Sequence, residues 1–424
     1  MTPQIKQRIE RLRHGEVPEG YKRTRAGIIP SDWFLHPLTQ HLTESRITGT
    51  NGAVAKKLTV KLWNKGVLEK REVHEGSEST TYYKRKAGQL IYSKLDFLNC
   101  AFGIIPQQLD GYESTQDLPC FDINGVDPCY LLTYLTQRNF YTHFGMIADG
   151  GRKARRIGPK DMLSFPLVYP PLSEQKKIAE ILQTQDKLIE LQQKKIEELK
   201  KLKKAYLSKM FPKKGCNAPE IRFPGFTDPW EQRKLGDIGE TYTGLSGKTK
   251  DDFGHGQARF VTYMNVFSNP ISNPEMTEPI EIDPKQNEVE VGDVFFTTSS
   301  ETPEEVGMSS ILLEKRGKTY LNSFCFGFRP SGKIDSYYLA YMLRSESARE
   351  KIILLAQGIS RYNISKNKVM EIAVSLPSLD EQKLIGQYFR QLDHLITLHQ
   401  RKLEEMKIYK KSLMQLLLTG IVRM

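Results

Sequence analysis

Apolar residues recur at every seventh position in two long stretches of the chain that are otherwise polar. The repeating positions are Leu182, Ile189 and Ile196 in the first stretch, and Phe389, Ile396 and Leu403 in the second. A seven-residue apolar period is typical of helices that pair along a coiled-coil seam. Each stretch is roughly 38 residues long, so each predicts a helix of about 57 Å.

The two stretches also repeat each other in sequence. The first begins with residues 170–176 (PPLSEQK) and the second with residues 377–383 (PSLDEQK), at an offset of 207 residues. A period this long does not correspond to the short repeats of a solenoid. It indicates two copies of a large unit, each of which ends in a long helix.

The beginnings of the two copies are similar as well. Trp33 is followed five residues later by Leu38, and Trp230 is followed five residues later by Leu235. We therefore predict five segments along the chain. They are an N-terminal helix over 1–19, a first domain over 20–168, a long helix over 169–214, a second domain over 215–375 and a second long helix over 376–424.

Short apolar runs inside each domain predict buried strands. The clearest are residues 89–92 and residues 293–297, each of which follows a glycine. Helical patterns come later in each domain, over 128–139 and 336–357. Because turn residues interrupt the chain often between these runs, we predict two mixed α/β domains with twisted sheets.

The simplest arrangement of the long helices is an antiparallel pair formed within the chain. The predicted fold class is therefore α/β, with two mixed α/β domains separated by two long helices that form an antiparallel coiled coil, and with a pseudo-two-fold internal repeat. Ser173 and Asp380 are the expected N-caps of the helices. The alternative, in which each helix packs on its own domain, stays open, although the shared seam favours the pair.

The charge balance favours an anionic partner. The chain has 62 Lys and Arg residues against 50 Asp and Glu residues, which gives a formal net charge of +12. A basic chain of this size suits nucleic acid. A basic surface without a nucleic-acid partner is the alternative.

Neither secretion nor a membrane span is predicted. The five cysteines include no C-x-x-C pair, which favours reduced thiols over a disulfide framework or a zinc site. No run approaches 18 consecutive apolar residues, and residues 1–20 lack the apolar core of a signal peptide. We therefore expect a cytoplasmic chain.

Motifs of common enzyme classes fail at specific positions. Residues 244–249 end in Gly-Lys-Thr like a phosphate-binding loop, but Tyr242 stands where that loop needs its first glycine. Residues 127–130 (DPCY) depart from the [DN]-P-P-[FY] loop of amino-methyltransferases, and a turn that starts a helix is the better account. Glu174 and Glu381 fit the E-x-K of metal nucleases, but in the first turn of a helix they would complement its dipole. No histidine spacing suggests a metal site, so we nominate no catalytic residue and no metal ligand.

Polar and basic loops carry the residue types that contact DNA. Glycine lets the backbone approach a phosphate that Arg or Lys neutralises, and short polar side chains reach base edges. In the first domain the candidates are Lys84, Arg85, Lys86, Gly150, Gly151, Arg152, Lys153, Arg155 and Arg156. In the second domain they are Lys248, Lys250, Tyr263, Asn265, Thr298, Ser299, Ser300, Gly358, Ser360, Arg361 and Tyr362. For any single loop a solvated surface is favoured over a DNA contact, and the glycine–arginine loops are the exception, where a contact is favoured.

The repeated helix start, P-x-L-x-E-Q-x-x-I, resembles the signature of a known protein family. The same holds for Trp33 and Trp230 at the beginnings of the domains, for residues 260–265 (FVTYMN) and for residues 291–302 (VGDVFFTTSSET). Together these features resemble the specificity (S) subunit of type I restriction-modification systems over nearly the full length of the chain.

The resemblance implies both a fold and a function. In that family two target-recognition domains each read one half of a bipartite, asymmetric site in double-stranded DNA, and an antiparallel coiled coil sets the spacer. The S subunit itself is non-catalytic. It docks two modification subunits, which methylate adenine, and two restriction subunits join the complex. S-adenosylmethionine, ATP and Mg are expected in those partner subunits, and no cofactor is expected in this chain.

Two other functions remain as alternatives from the sequence. The first is a single-chain methyltransferase or nuclease, which is disfavoured because the glycine-rich and acidic sites of such enzymes are missing. The second is a coiled-coil scaffold that binds only protein, which would associate with DNA weakly and without salt dependence.

Overall fold

The computed structural model describes residues 3–71, 77–147, 156–213 and 215–424. The chain divides into two compact units. Unit 1 comprises Met1–Leu191 and Glu404–Met424, and unit 2 comprises Gln192–Leu403. Each unit therefore contains residues of both long helices.

Unit 1 consists of short strands, a few short helices and portions of the long helices. Its strands are β1 (Tyr21–Thr24), β2 (Gly27–Pro30), β3 (Phe34–Pro37), β4 (Leu42–Ser45), β5 (Thr48–Asn51), β6 (Leu58–Val60), β7 (Val67–Glu69), β8 (Thr81–Lys84), β9 (Leu90–Tyr92), β10 (Phe102–Ile104), β11 (Glu113–Ser114), β12 (Cys120–Ile123) and β13 (Pro166–Tyr169). Its helices are α1 (Pro3–Arg13), α2 (Pro128–Leu135), α3 (Arg138–Gly145), α4 (Pro159–Ser164), the first part of α5 (Leu172–Lys209) and the last part of α10 (Leu379–Leu418).

A four-stranded antiparallel sheet forms the centre of unit 1, in the order β10-β9-β12-β4. All three residues of β9 are fully buried, because a strand in the middle of a covered sheet is apolar on both faces. The buried strand predicted over 89–92 is therefore confirmed. Unit 1 also contains four smaller sheets, which are β11-β8-β5, β13-β3, β6-β7 and β1-β2.

Unit 2 is built from the same kinds of elements. Its strands are β14 (Glu231–Lys234), β15 (Gly239–Thr243), β16 (Phe253–Val261), β17 (Thr277–Ile280), β18 (Val294–Thr297), β19 (Ser299–Ser300), β20 (Ser309–Ile311), β21 (Thr319–Leu321), β22 (Cys325–Pro330), β23 (Tyr362–Asn363) and β24 (Ala373–Leu376). Its helices are the last part of α5, α6 (Tyr263–Ser268), α7 (Ser336–Met342), α8 (Glu346–Ile353), α9 (Lys366–Met370) and most of α10 (Leu379–Leu418).

The central sheet of unit 2 repeats the layout of unit 1. Its order is β20-β18-β22-β15, again antiparallel throughout. Strand β18 is buried at every residue, as β9 is, which confirms the strand predicted over 293–297. In both units a two-stranded pair, β3 with β13 or β14 with β24, ends just before a long helix. The internal repeat therefore extends from the sequence to the sheet topology, and the predicted mixed α/β class is confirmed.

The helical patterns over 128–139 and 336–357 each form two helices instead of the single one expected. In unit 1, α2 ends at Leu135 and α3 begins at Arg138. In unit 2, the Ser345 hydroxyl caps α8 by accepting a hydrogen bond from the backbone N–H of Ala348 (3.4 Å). Ser and Gln at the breaks favour a turn and a new N-terminus over a continuous helix.

The two long helices begin one residue earlier than their expected caps. They start at Leu172 and Leu379, so Ser173 and Asp380 lie inside the first turn and the predicted N-caps are wrong. At α10 the side chain of Ser378 takes the capping position, since its hydroxyl accepts a hydrogen bond from the N–H of Glu381 (3.4 Å).

The predicted seam positions point away from solvent. Leu182, Ile196, Phe389, Ile396 and Leu403 are buried, and Ile189 is half-buried.

Both units show contacts between α5 and α10. In unit 1, Asp186 forms an ion pair with Lys410, and Ile178 and Leu182 share a core with Leu417. This core also contains Trp33 and the residues of the central sheet.

In unit 2, polar and charged residues of α5 and α10 pair directly. The Gln192 amide donates to the backbone carbonyl of His399 (2.8 Å) and approaches its Nδ1 atom (2.9 Å). Lys203 forms an ion pair with Asp393 (2.6 Å). The partner number falls as the α5 number rises, so the paired segments run in opposite directions within this unit. Gln192 and His399 are equivalent positions of the repeat, and the polar residues that interrupt the apolar seam satisfy each other here.

None of the helices within the described ranges has the length and apolar character that crossing a bilayer would need.

Candidate nucleic-acid interface

Five of the residues predicted to contact DNA line one groove of unit 2. The groove has a volume of about 420 Å³. The predicted residues on its wall are Tyr263, Ser299, Ser300, Ser360 and Arg361, and Met264, Phe267, Glu301 and Glu305 complete the lining. These residues come from α6, from the strand β19, and from the loops that follow β19 and precede β23.

The wall formed by α6 is fixed by hydrogen bonds. The Thr262 hydroxyl caps the helix by accepting from the N–H of Asn265 (3.2 Å). The Tyr263 hydroxyl donates to the Ser299 carbonyl (2.7 Å), and its ring stacks on Phe267 at 6.0 Å. Burial raises the pKa of Tyr263, and the hydrogen bond from its hydroxyl to Ser299 holds the helix against β19.

The opposite wall is a tight turn that requires glycine. Gly358 has φ of +142°, and a Cβ atom there would lie 2.0 Å from the carbonyl oxygen of Arg361. The turn is closed by two backbone hydrogen bonds between Gln357 and Asn363, of 2.9 and 2.8 Å. Gly358 therefore acts through backbone geometry, and it presents Ser360 and Arg361 at the rim of the groove.

The groove combines hydrogen-bond donors, acceptors and apolar surface. The Arg361 guanidinium lies over the ring of Phe324, 5.9 Å from its centroid, and has no ion-pair partner among the residues that the structure describes. Glu305 accepts a hydrogen bond from Ser300 (3.3 Å), and Glu301 is exposed beside it. Arginine and carboxylate groups together complement the donor and acceptor pattern of base edges in the major groove.

Three further candidates of unit 2 have structural roles. Asn265 is fully buried, and its amide donates to the carbonyls of Asn273 (2.8 Å) and Met276 (3.1 Å). Thr298 donates its hydroxyl to the Phe324 carbonyl (2.8 Å), and Tyr362 pairs with Ser300 in the β19–β23 ladder. Since the hydrogen-bonding capacity of Asn265 is used inside the fold, its expected role as a DNA contact is corrected to a structural one.

The two predicted lysines of unit 2 differ from each other. Lys248 forms an ion pair with Asp283 (2.8 Å), and this hydrogen bond raises the pKa of Lys248 and lowers that of Asp283. Its charge is therefore already neutralised by a carboxylate. Lys250 is exposed and keeps the character expected of a phosphate contact.

The three basic residues at the end of β8 in unit 1 also differ from one another in exposure. Lys84 and Lys86 are exposed, whereas Arg85 is only 2% exposed. The Arg85 guanidinium donates to the Ser45 carbonyl (2.8 Å) and the Ser114 hydroxyl (2.8 Å). Its desolvation lowers the pKa of Arg85. The expectation that Arg85 contacts DNA is corrected, because its donors are used to join β4 to β11.

The glycine–arginine loop of unit 1 lies largely outside the described residues. This applies to Gly150, Gly151, Arg152, Lys153 and Arg155. Arg156 is described, is exposed and lies 3.9 Å from a carboxylate oxygen of Asp117.

The sequence analysis did not single out Trp63, which is 57% exposed. It lies in the hairpin between β6 and β7, within the run Lys61-Leu62-Trp63-Asn64-Lys65. Part of the signal was available, because Asn64 and Gly66 are typical turn residues and clustered lysines are typical of nucleic-acid-binding surfaces.

The sequence analysis also missed the role of the repeated Glu-Gln pair. The Gln175 amide accepts from the N–H of Asp127 (2.8 Å) and donates to the Pro170 carbonyl (2.8 Å). In unit 2 the Gln382 amide makes the same two bonds, to Asp335 (3.0 Å) and to the carbonyl of residue 377 (2.9 Å). Each glutamine thus joins the start of a long helix to the N-cap residue of a short one.

The glutamates of this motif are buried ion-pair acceptors. Glu381 accepts two hydrogen bonds from the Arg222 guanidinium (2.7 and 2.8 Å). Glu174 accepts two from Arg423 (both 2.9 Å) and one from the Trp33 indole (3.2 Å). The interpretation of this motif as structural, in place of a metal nuclease site, fits these contacts.

Two other rejected motifs can be compared with the fold. Asp127 caps α2, since its carboxylate accepts from the N–H groups of Cys129 (3.0 Å) and Tyr130 (2.9 Å), as the helix-start interpretation predicts. Within the described part of the chain, no group of three or more His, Cys, Asp or Glu side chains is placed to hold a metal ion.

The sequence matches a family model described as "Type I restriction modification DNA specificity domain" over residues 121–201 and 227–407, more than half of the chain. This chain belongs to that family. The resemblance drawn from the repeated helix start is therefore confirmed. The chain is a DNA sequence-specificity subunit of a type I restriction-modification system, and its family is non-catalytic.

Two relatives from Methanocaldococcus jannaschii are named as specificity subunits. The subunit named for the type I restriction enzyme MjaX is 26% identical over 451 aligned residues, covering 96% of this chain and 97% of the relative. The MjaVIII specificity subunit is 28% identical over 285 residues, covering 63% and 64% of the two chains.

Solved structures share the fold at low sequence identity. The HsdS subunit from Thermoanaerobacter tengcongensis aligns with a TM-score of 0.51 at 15% identity and covers 93% of this chain and 98% of its own. The S subunit from M. genitalium aligns with a TM-score of 0.52 at 13% identity, covering 91% and 96%. A chain from a structural study of type I complex assembly reaches 0.59 at 15% identity, covering 93% and 99%. This likeness concerns the fold alone.

Proposed function

We propose that each unit of this specificity subunit reads one half of a bipartite, asymmetric DNA site. The predicted target-recognition domains over 20–168 and 215–375 would carry the two reading surfaces. The observation that carries the proposal is the convergence of five predicted contact residues on one groove of unit 2. The two units share a sheet order but differ in the loops beside it, so we expect two different half-sites.

Mapping methylated adenines in cells with and without this chain tests the half-site proposal. Arg361→Gln removes a guanidinium that has no ion-pair partner within the described residues, and a good arginine–guanine contact contributes about 1–3 kcal/mol of discrimination. We expect relaxed specificity in one half of the mapped site and no change in the other half. Arg316→Gln, an exposed arginine of the same unit outside the groove, is the matched control.

An unchanged motif in the Arg361→Gln variant would contradict the groove as a reading surface. Loss of all sequence preference in the Arg316→Gln control would show that any arginine of unit 2 affects binding. Salt dependence separates the alternative function, because a scaffold that binds only protein predicts weak DNA association that salt does not change.

We also infer that α5 and α10 form an antiparallel coiled coil that sets the spacer between the half-sites, with a pseudo-two-fold relation between the copies. Burial of the apolar seam and the opposed direction of the Gln192–His399 and Lys203–Asp393 pairs support this inference. A buried polar pair such as Gln192 with His399 is a means of specifying register. Inserting one heptad into both helices should add about 10 Å, or roughly three base pairs of spacer. An unchanged spacer in the mapped site would overturn the inference.

The same helices are the proposed docking surface for two modification subunits. Three pairs of repeat-equivalent residues are apolar and more than 40% exposed, at 41–61%. The pairs are Leu188 with Leu395, Leu191 with Leu398, and Leu202 with Tyr409. Each unit thereby exposes an apolar patch of similar composition, which suits two copies of one partner. Two restriction subunits would complete the complex, with S-adenosylmethionine, ATP and Mg bound by the partners.

Charge placed in one patch tests the docking proposal. Leu191→Glu should remove one of two modification subunits from the complex, and Leu191→Glu with Leu398→Glu should remove both, as measured by mass photometry. Gln193→Glu adds a carboxylate to an exposed position of the same helix and should leave two subunits bound. Two bound subunits in the double variant would exclude these patches.

A further inference from the structure

The β6–β7 hairpin of unit 1 has a buried base and an exposed tip. Val60 and Val67 pair at its end, and both are buried in a small core with Ile91. The Lys61 N–H donates to the Gly66 carbonyl (2.9 Å) and closes the loop. The tip is therefore held on a rigid stem.

The backbone of the tip adopts a conformation that costs free energy. Trp63 and Asn64 have φ of +60° and +53°. Asparagine tolerates this left-handed region, but a bulky aromatic residue there is an outlier that costs about 1–3 kcal/mol. The backbone N–H groups of these two residues donate to the carbonyls of Asn99 (2.8 Å) and Cys100 (2.9 Å), which stabilises the turn.

This strain is concentrated at one place. Cys100, which accepts from Asn64, also has a positive φ, of +52°. Across the ranges that the structure describes, these three are the non-glycine residues with positive φ, and all of them belong to this contact. Such conformations cluster at ligand-contacting sites, where the surrounding structure imposes them.

The side chain that this turn presents is a large aromatic one. Trp63 is 57% exposed, whereas Trp33 and Trp230 are at most 2% exposed. The residues between Val60 and Val67 include two exposed lysines, Lys61 and Lys65, and no acidic residue. The tip therefore offers an apolar ring between two cations.

We propose that Trp63 is a DNA contact of unit 1, with its indole packed against bases and with Lys61 and Lys65 placed to neutralise phosphates. In a duplex an aromatic ring can contact base edges in a groove or insert between base steps, and lysines supply the positive charge that the phosphates attract. The two cations favour DNA over an apolar protein partner. The proposal rests on the proposed function, since it assigns one residue of the reading surface in unit 1.

Intrinsic fluorescence reports on this residue selectively. The chain contains three tryptophans, and two of them are buried, so contact with bases should quench the emission of Trp63. The full chain would first select its binding sites from a pool of randomised 40-base-pair duplexes, and the selected duplex would then be titrated. We expect quenching by the duplex but not by heparin, a polyanion without bases.

Two substitutions separate the ring from the turn. Trp63→Gly removes the indole and suits a positive φ, so stability should be kept or rise while affinity for the selected duplex falls about 5- to 100-fold. Trp63→Phe keeps an aromatic ring and should retain most of the affinity without the quenching. Leu68→Ala, at an exposed leucine in the stem of the same hairpin, is the matched control and should bind normally.

The outcomes separate this proposal from the proposed function. If the unaltered chain selects no motif from the pool, the proposed function fails. If it selects a motif but shows no quenching, or if Trp63→Gly binds within about twofold of the unaltered chain, the assignment of Trp63 is wrong and sequence reading stands. Quenching by the modification subunit in place of the duplex would assign the tip to a protein interface instead.

Discussion

Glu174 in unit 1 and Glu381 in unit 2 occupy the same place in the repeat, but their partners differ. Glu381 is fully buried and receives both of its strong hydrogen bonds from Arg222. Glu174 is 5% exposed and is shared by Arg423, the Trp33 indole and the N–H of Met424. In unit 2 the corresponding Trp230 indole nitrogen is buried, and it has no hydrogen-bond partner among the described residues.

The two arginines come from corresponding parts of the chain. Arg222 follows the end of α5, and Arg423 follows the end of α10. A buried carboxylate at the start of a long helix needs a cation, because an unpaired charge there would carry the full desolvation cost. The repeat meets this need with an internal loop in unit 2 and with the C-terminal tail in unit 1. Unit 1 distributes the charge over more donors, so it should tolerate the loss of one donor better.

Removing the arginine of unit 2 should have the largest effect. Arg222→Ala leaves the Glu381 carboxylate buried and unpaired, and the free energy of unfolding of unit 2 should fall by about 3–5 kcal/mol. Native-state hydrogen exchange of the amides in unit 2 measures this. Replacing both partners with apolar residues, Arg222→Met with Glu381→Leu, should recover most of the loss. Arg233→Ala, which changes an exposed arginine of the same unit, is the control. If it lowers the free energy of unfolding as much as Arg222→Ala does, this explanation is contradicted.

The glutamines should show equal effects, because their hydrogen bonds are the same in both units. Gln175→Ala and Gln382→Ala each remove a buried amide and leave one N–H and one carbonyl group without a partner. Each substitution should lower the free energy of unfolding of its own unit by about 1–3 kcal/mol. Hydrogen exchange resolved by unit compares the two. If only one variant lowers the free energy of unfolding of its unit, the same hydrogen bonds do not contribute equally to stability in the two units.

Removing the arginine of unit 1 should cost less than Arg222→Ala. In Arg423→Ala, Glu174 keeps the Trp33 indole and the backbone N–H of Met424, so we expect a loss of about 1–2 kcal/mol at pH 7. An equal or larger loss than for Arg222→Ala would refute the comparison.

The cost of Arg423→Ala should also depend on pH. The hydrogen bond from Arg423 is the main reason why the pKa of Asp32 lies below its ordinary value of 3.8. A lowered folded pKa contributes stability above the ordinary pKa, and that stability is lost as the pH falls through the folded value. The cost of the substitution should therefore be constant from pH 7 to about 4 and should shrink below that. Urea unfolding across this range measures it.

The smallest expected effect compares the two tryptophans. Trp33→Phe and Trp230→Phe remove a similar volume from the two cores, but only Trp33 loses a hydrogen bond to a carboxylate. Trp33→Phe should therefore be the more destabilising substitution by about 1 kcal/mol, as measured by urea unfolding. An equal cost would mean that the Trp33–Glu174 bond contributes little.

Periodic features were predictable because they depend on neighbours in sequence. The heptads that include Leu182 and Phe389 predicted buried faces of long helices, and the runs at 89–92 and 293–297 predicted buried strands. These assignments depend on local periods of apolar residues, which identify the side that faces a core wherever that core lies. The N-caps were wrong by a short distance, because proline and leucine at 171–172 and 377–379 allow more than one start.

The candidate interface was predictable only in part. Tyr263, Ser299 and Arg361 lie far apart in sequence, and the groove that joins them exists because β19 pairs with β23 beside α6. Arg85 stands between Lys84 and Lys86 and has the same chemical type, yet it is buried. Arg85 follows directly after β8, and its burial depends on the Ser45 carbonyl and the Ser114 hydroxyl that accept its hydrogen bonds. The local sequence does not reveal these partners.

The amino-acid sequence alone determined the repeated unit, the long helices, the mixed α/β class and the family. These features depend on residue spacing and local pattern, which can be read from the chain before the fold is known. The partners of the buried charges and the exposure of Trp63 follow from packing. Glu174 meets Arg423 across 249 residues of chain, and a contact at such a separation depends on how distant segments come together. The side chains that fold against a core and those that remain free to meet DNA are therefore distinguished by the tertiary arrangement, because burial is a property of the surroundings and not of the residue type.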